Sequence, residues 1–240
     1  MGLTGADTMT GRKIKILSVL PSQARQSFTT TKKCFVAVSM NSEFFQKYWG
    51  QLLFRYIDER FEECVVLIAD ELHRFDLTML NGSGTSEALA GARRMGDAME
   101  AGVRTMIPEG GTCTFKMKRW RELSSDPRAG ESLTALQGLV ASNVNFSSAL
   151  ERTAHEYLKR VQAKGAIFKL PLKECLELSR AFILEELACY NVLAEDGYCV
   201  DIYPGTYLPV LDDIAQGKIP DAPAGLKSKI NVRVRTVKTG

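Results

Sequence analysis

Residues 64–69 read CVVLIA, apolar at every position. A strand with one face in water alternates apolar and polar side chains. A short run without alternation belongs instead in a parallel sheet covered on both faces. Residues 34–39 (CFVAVS) read as a second strand, and 199–203 (CVDIY) as a third. Residues 13–20 and 112–118 alternate as strands. Helical spacing fills the intervals: 42–60, with Phe45, Tyr48, Trp49, Leu52 and Tyr56; a stretch from the glycine turn NGSGTSEA at 81–88 to about 102; then 131–163, 171–195 and 209–216. Strands alternating with helices predict an α/β fold with a doubly wound, mainly parallel sheet. One domain over 1–240 is expected, with flexible ends at 1–12 and about 224–240. Within the second end, NVRVRTV reads either as an edge strand or as a disordered tail.

The chain of 240 residues is 45% hydrophobic, which suffices for one substantial core. No apolar run approaches the roughly 18 residues of a bilayer span, and the first 17 residues lack the apolar centre of a secretory signal. Its six cysteines are scattered, mostly in apolar runs, and form no CxxC or Cys/His cluster. Buried reduced thiols, no metal, no cofactor and a cytoplasmic location are expected. A net charge of +3 is too small to prove a nucleic-acid partner, so the distribution of charge carries that question.

Open α/β sheets bind ligands at the carboxyl ends of their strands. Ser39, Asp70 and Tyr203 all fall at such ends. Ser39 lies before a helical stretch whose free N–H groups suit an oxyanion. Its surroundings, AVSMN, are not the GxSxG of a hydrolase elbow, and only His73 and His155 are on hand as bases. A serine without a strong base suits a substrate that is already activated. Glu186 sits on a helical stretch among Phe182, Ile183, Cys189 and Tyr190, so a desolvated carboxylate seeking a cation is expected. Glu185 has equally apolar neighbours, and periodicity does not separate the two. Pro204 ends the strand that carries Tyr203. Arg93, Arg94, Arg104, Lys116, Lys118 and Arg119 form the candidate contact region for RNA phosphate.

Four segments in order, AVSMNSEFF, NGSGTSEA, AFILEELA and IYPG, resemble the tRNA-dependent cyclodipeptide synthases, over about 13–223. The resemblance implies a Rossmann-like domain similar to the catalytic domains of class I aminoacyl-tRNA synthetases, acting without ATP. It implies that a first aminoacyl-tRNA loads Ser39 and a second extends it to a dipeptidyl-enzyme. Tyr203 would relay a proton as the cyclic dipeptide leaves, and Glu186, favoured here over Glu185, would hold the ammonium. Gly82 falls on a recurrent glycine. The substrate-lining set is Phe35, Ala37, Leu67, Gly82, Trp120, Phe182, Cys189 and Asp201.

The chain also departs from the pattern. Ser42 stands where one subfamily has Asn, Ala37 replaces a glycine, Phe182 and Ala129 replace tyrosines, and Ala101 and Gly102 lie where arginines are frequent. Many relatives have an aliphatic pocket for the first side chain. Here Asp201, with Trp120 and Phe35 offering rings beside it, favours histidine first and arginine second; pairing of Asp201 with a nearby Lys or Arg would favour Leu, Phe or Met. Aminoacyl-tRNAs as partners, no membrane, and a monomer or weak dimer are expected. The competing classes are a serine acyltransferase or hydrolase and a non-catalytic tRNA-binding protein.

Overall fold

A computed structural model describes residues 11–40, 42–46 and 48–238. The expected flexible end at 1–12 falls largely outside them. Six strands form one sheet: β1 (Arg12–Leu20), β2 (Lys33–Val38), β3 (Glu63–Ile68), β4 (Thr114–Arg119), β5 (Val200–Tyr203) and β6 (Ile230–Lys238). Their order is β1-β6-β5-β2-β3-β4. β1 runs antiparallel to β6, and every other neighbouring pair is parallel. The helices are α1 (Arg25–Thr30), α2 (Tyr48–Asp58), α3 (Arg74–Asn81), α4 (Thr85–Arg104), α5 (Trp120–Ser124), α6 (Pro127–Ser142), α7 (Val144–Ala163), α8 (Leu172–Glu195), α9 (Pro209–Ala215) and α10 (Ala224–Ser228).

The continuously apolar strands lie where they must, in the middle of the sheet. Phe35 and Val65 point to one face, Cys34, Val36, Cys64 and Val66 to the other, and all are fully buried. The first face packs on side chains of α5 to α10, the second on α2 and the end of α4. Helix α8 runs against the strands. Its Glu185 meets Arg74, just past the end of β3, while Tyr198 beyond its far end lies under Lys33 at the start of β2. Glu185 and Glu186 therefore sit at the carboxyl ends of the strands.

The structure departs from the expected elements in several places. The helix expected over 42–60 is a 3-10 turn (Glu43–Gln46) followed by α2. The expected helix at 131–163 is two, because Asn143 takes an extended backbone (φ −124°, ψ 104°) and caps α7 by accepting the Phe146 N–H at 3.0 Å. Helices α1, α3, α5 and α10 have no counterpart among the expected elements. NVRVRTV is neither an edge nor a loose tail: it is most of β6, with β5 on one side and β1 on the other. No helix among the described residues is long and apolar enough to cross a membrane.

Candidate active site

Ser39 leaves β2 on the face that carries Phe35 and Ala37, since alternate residues of a strand share a face. Ala37 pairs with Leu67 across β3. On the other flank β5 places Asp201 beside Phe35 and ends at Tyr203. Ser39 is half-buried, and its hydroxyl has no partner among the described residues. The Ser42 N–H donates to the Ser39 carbonyl at 3.2 Å, closing a turn rather than opening a regular helix.

Helix α8 supplies the carboxylate, and the structure separates the two glutamates that periodicity leaves equal. Glu185 is tied on both oxygens by Arg74, at 3.0 and 2.5 Å, and accepts the Trp120 indole N–H at 2.7 Å. Glu186 lies about 100° further round the helix. Its Oε1 accepts the Tyr190 hydroxyl at 2.8 Å, one helical turn on, and its buried Oε2 has no partner among the described residues. Burial pushes the Glu186 carboxyl up to about 7, although the Tyr190 hydrogen bond and the nearby Lys229 pull it down. Tyr190 is the residue that sequence reasoning names only as a neighbour; its i+4 spacing from Glu186 is the signal for the contact.

Tyr203 lies close enough to Glu186 for the charges to be felt. Burial, then Glu186 and Asp201, push its phenol up to about 12. Its ring rests where a Cβ on Gly205 would come within 2.4 Å of Cε1, so the glycine of IYPG makes room for the tyrosine. Asp201 is buried and bonds the ammonium of Lys229, itself 1% exposed, which also donates to Asn231 Oδ1 at 3.0 Å. Lys229 stands over the rings of Tyr190, Phe35 and Tyr207 at 4.6, 5.1 and 5.5 Å. Asp201 Oδ1 is left without a partner among the described residues. Burial raises the Asp201 carboxyl and Lys229 holds it down.

Other placements correct the expectations. Trp120 does not flank Asp201. β2 and β3 stand between β4 and β5, a distance of about 14 Å at normal strand spacing, and the indole is spent on Glu185. The residue beside Asp201 is Lys229. Asp70 does not line an open crevice either, because Arg119 binds its Oδ2 at 2.6 Å and the carboxylate is buried. Gly82 ends α3 in the left-handed region at φ +67°, exposed to solvent, which accounts for a glycine there without any ligand. Phe182 stacks on Tyr157 at 5.1 Å, and the Tyr157 hydroxyl bonds Asp76, which also holds His73 Nδ1 at 2.8 Å. His155 is exposed beside Glu151. Neither histidine bonds Ser39. Cys189 is buried and lines a cavity of about 330 Å³ with Glu71, Arg74, Ala129 and Glu185, on the side of α8 away from Glu186. No cluster of metal-ligating side chains occurs among the described residues.

Most of the expected RNA-contacting cations are already paired. Arg93 binds Glu71 at 2.7 Å, Arg104 binds Glu100 at 2.6 Å and Lys116 binds Glu63 at 2.7 Å. Arg119 is shared among Asp70, Asp97 and Glu100. Arg94 and Lys118 have no carboxylate partner among the described residues.

No protein-family model matches the chain, and no curated protein does. Solved structures do. A cyclodipeptide synthase from Fluoribacter dumoffii superposes with a TM-score of 0.81 at 19% identity, covering 95% of this chain and 98% of that one. A Mycobacterium tuberculosis protein, described as demonstrating that cyclodipeptide synthetases are related to type I tRNA synthetases, gives 0.70 at 13% identity over 95% and 94%. A cyclodipeptide synthase from Candidatus Glomeribacter gigasporarum, solved bound to Phe-tRNA, gives 0.62 at 16% identity over 93% and 94%. The chain has the cyclodipeptide synthase fold. The expected doubly wound, mainly parallel α/β architecture is thereby met over nearly the whole chain.

Proposed function

We propose that this chain is a tRNA-dependent cyclodipeptide synthase, a single-domain cytoplasmic aminoacyltransferase acting as a monomer or weak dimer. The observation that carries the reading is the buried, unpartnered Oε2 of Glu186, next to Tyr203 and at the strand ends where Ser39 emerges, in a chain of this fold. A desolvated carboxylate oxygen without a partner is unfavourable in the free protein and is satisfied by an ammonium.

Ser39 Oγ attacks the ester of the first aminoacyl-tRNA. A bond forms from Oγ to the acyl carbon, the ester bond to the tRNA breaks, and the terminal tRNA hydroxyl leaves with the proton. Glu186 holds the ammonium of the loaded residue. The amine of the second aminoacyl-tRNA takes the acyl group from Ser39, and Ser39 then takes the dipeptide from that tRNA. In the last step the dipeptide's own amine attacks the Ser39 ester. Tyr203, protonated at neutral pH, receives the amine proton as it hands its own to the departing Oγ. An ester is activated already, which fits a serine with no histidine on it.

Histidine is the proposed first residue. Lys229 pairs with Asp201, the arrangement expected above to favour Leu, Phe or Met, and it makes a guanidinium surplus charge; histidine is kept because Asp201 Oδ1, without a partner among the described residues, can accept the N–H of a neutral imidazole. The test is incubation of the pure protein with each of the twenty charged tRNAs and mass spectrometry for cyclic dipeptides. Histidine-containing products are expected. A clean preference for an aliphatic first residue removes the histidine assignment, and the absence of any cyclic product removes the activity.

A further inference from the structure

Two desolvated carboxylates, Glu186 and Asp201, stand near Tyr203, and among the described residues only one of them has an ion-pair partner. Asp201 holds the buried ammonium of Lys229, whereas Glu186 Oε2 is bare. Tyr190 links the two sites. Its hydroxyl donates to Glu186 at 2.8 Å, and its ring lies 4.6 Å from Lys229 Nζ. The charges are felt across it. Burial does most to raise the Glu186 carboxyl; Tyr190 and then Lys229 pull it down, and Asp201 pushes it up. Asp201 is also on the substrate side of the sheet, since it pairs with Phe35 across β2 and β5 and shares its face with Tyr203.

A lysine buried between strands reads most simply as a structural pin. β5 and β6 are already joined by their backbone ladder and by Tyr207, whose hydroxyl lies 2.7 and 3.0 Å from the Asp201 and Val232 carbonyl oxygens. A buried ion pair repays its desolvation only when its polar atoms are satisfied. Glu185 meets that condition on both oxygens, and Asp201 Oδ1 does not. What the pair does supply is neutrality. With Lys229 in place, Glu186 is the carboxylate left with room for an ammonium. Without it, two acids linked through Tyr190 compete for one amine. We propose that Lys229 is a positioning residue that occupies Asp201, so that the substrate's amine lodges on Glu186 and a cationic side chain is barred from the first-residue pocket. The inference rests on the aminoacyl-tRNA reading above. It gives the chain a residue that excludes wrong substrates, since a second cation beside a desolvated ammonium is strongly repelled.

The test uses the full chain and one side-chain shape in two charge states. Arginine and citrulline are nearly isosteric and differ by the positive charge, and both are loaded on the same tRNA transcript. Acylation of Ser39 is followed by intact mass. Binding of argininamide and citrullinamide is followed by calorimetry, which needs neither tRNA nor turnover. Wild type is expected to take citrulline at least about tenfold better than arginine in both assays. Lys229→Met should reverse that order, because the substrate's guanidinium replaces the lost ammonium on Asp201. Lys229→Gln, which keeps a hydrogen bond to Asp201 without the charge, is the milder second variant and should move the same way. For the residue that wild type loads best, both variants should lower kcat and KM together, because the amine also settles unproductively on Asp201. Asp201→Asn/Lys229→Met should refuse arginine again, since no counter-charge remains. Arginine refused by the folded Lys229 variants as by wild type overturns the inference, as does a double variant that accepts it. An unchanged kcat and KM contradicts the positioning role. Should neither single variant fold, the wild-type contrast decides, and equal behaviour of arginine and citrulline overturns the inference. If cyclic dipeptides form while the two side chains behave alike, the activity stands and the role of Lys229 falls. If the Lys229 variants gain argininamide while no charged tRNA yields product, the charge filter stands and the activity falls.

Discussion

Glu185 and Glu186 are consecutive residues about 100° apart around α8, and they lead opposite lives. Glu185 is saturated, with Arg74 on both oxygens and the Trp120 indole on one. Glu186 has one tyrosine hydroxyl and a buried oxygen with no partner among the described residues. The first arrangement ties α8 to the ends of β3 and β4. The second leaves an acceptor for a cation that the protein itself does not supply. The cations divide the same way: Arg93, Arg104, Lys116 and Arg119 are held by carboxylates, while Arg94 and Lys118 have no carboxylate partner among the described residues. Saturated charge marks structure, and unsaturated charge marks the surfaces that await a ligand.

The largest effect should come from breaking the saturated side. Glu185→Gln leaves the half-buried Arg74 without its counter-charge and is expected to lower stability by about 2–4 kcal/mol in denaturant titration. The folded fraction should still load Ser39. If stability is unchanged, the contrast between the two glutamates has no energetic content. Next in size, Glu186→Gln should slow loading of Ser39 about 10- to 100-fold, the range expected for loss of a charged hydrogen bond, without loss of stability. Equal loading by both variants would break the comparison outright.

The pH dependence sharpens it further. Folded Glu186 keeps its proton up to about pH 7, while an ordinary carboxyl, as in the unfolded chain, loses it near 4.5. The stability this group lends is whole below pH 4.5 and is lost as pH rises through about 7. Glu186→Gln does not titrate. By about pH 8 it should be more stable than wild type by about 1–2 kcal/mol, a figure discounted for the part of the residue that stays exposed. Thermal melts of both proteins at about pH 4 and about pH 8 decide this; parallel curves would show that Glu186 is not held protonated. Smallest of all, Tyr190→Phe removes one hydrogen bond from Glu186, and should weaken loading by about 1 kcal/mol and move its pH midpoint upward. An unmoved midpoint would remove Tyr190 from the site.

Much of the scaffold is legible in the sequence. CVVLIA and CFVAVS announce buried parallel strands because an apolar run on both faces has few other homes, and the ends of CFVAVS and CVDIY locate Ser39 and Tyr203. The two helices within 131–163 read as one, because a single asparagine carries the break and asparagine also occurs inside helices. β6 reads as an edge because its arginines alternate with valines, and only the antiparallel partner β1 makes it interior. Lys229 is invisible. A lysine after a short helix reads as surface, and its burial follows from Asp201 and Asn231, the first of them 28 residues away in sequence. Glu185 and Glu186 have the same kinds of helical neighbours, so only the tertiary partners Arg74, Trp120 and Tyr203 tell them apart.

The central claim is that Ser39 carries the aminoacyl group. Pure protein would be mixed with a charged tRNA that yields product, quenched in acid, and examined by intact mass and peptide mapping. Wild type should show one aminoacyl increment on the peptide containing Ser39. Tyr203→Phe should accumulate the acylated enzyme while releasing cyclic dipeptide more slowly, and Ser39→Ala should show neither increment nor product. Continued turnover by Ser39→Ala, or an increment mapped to another residue, would contradict the account.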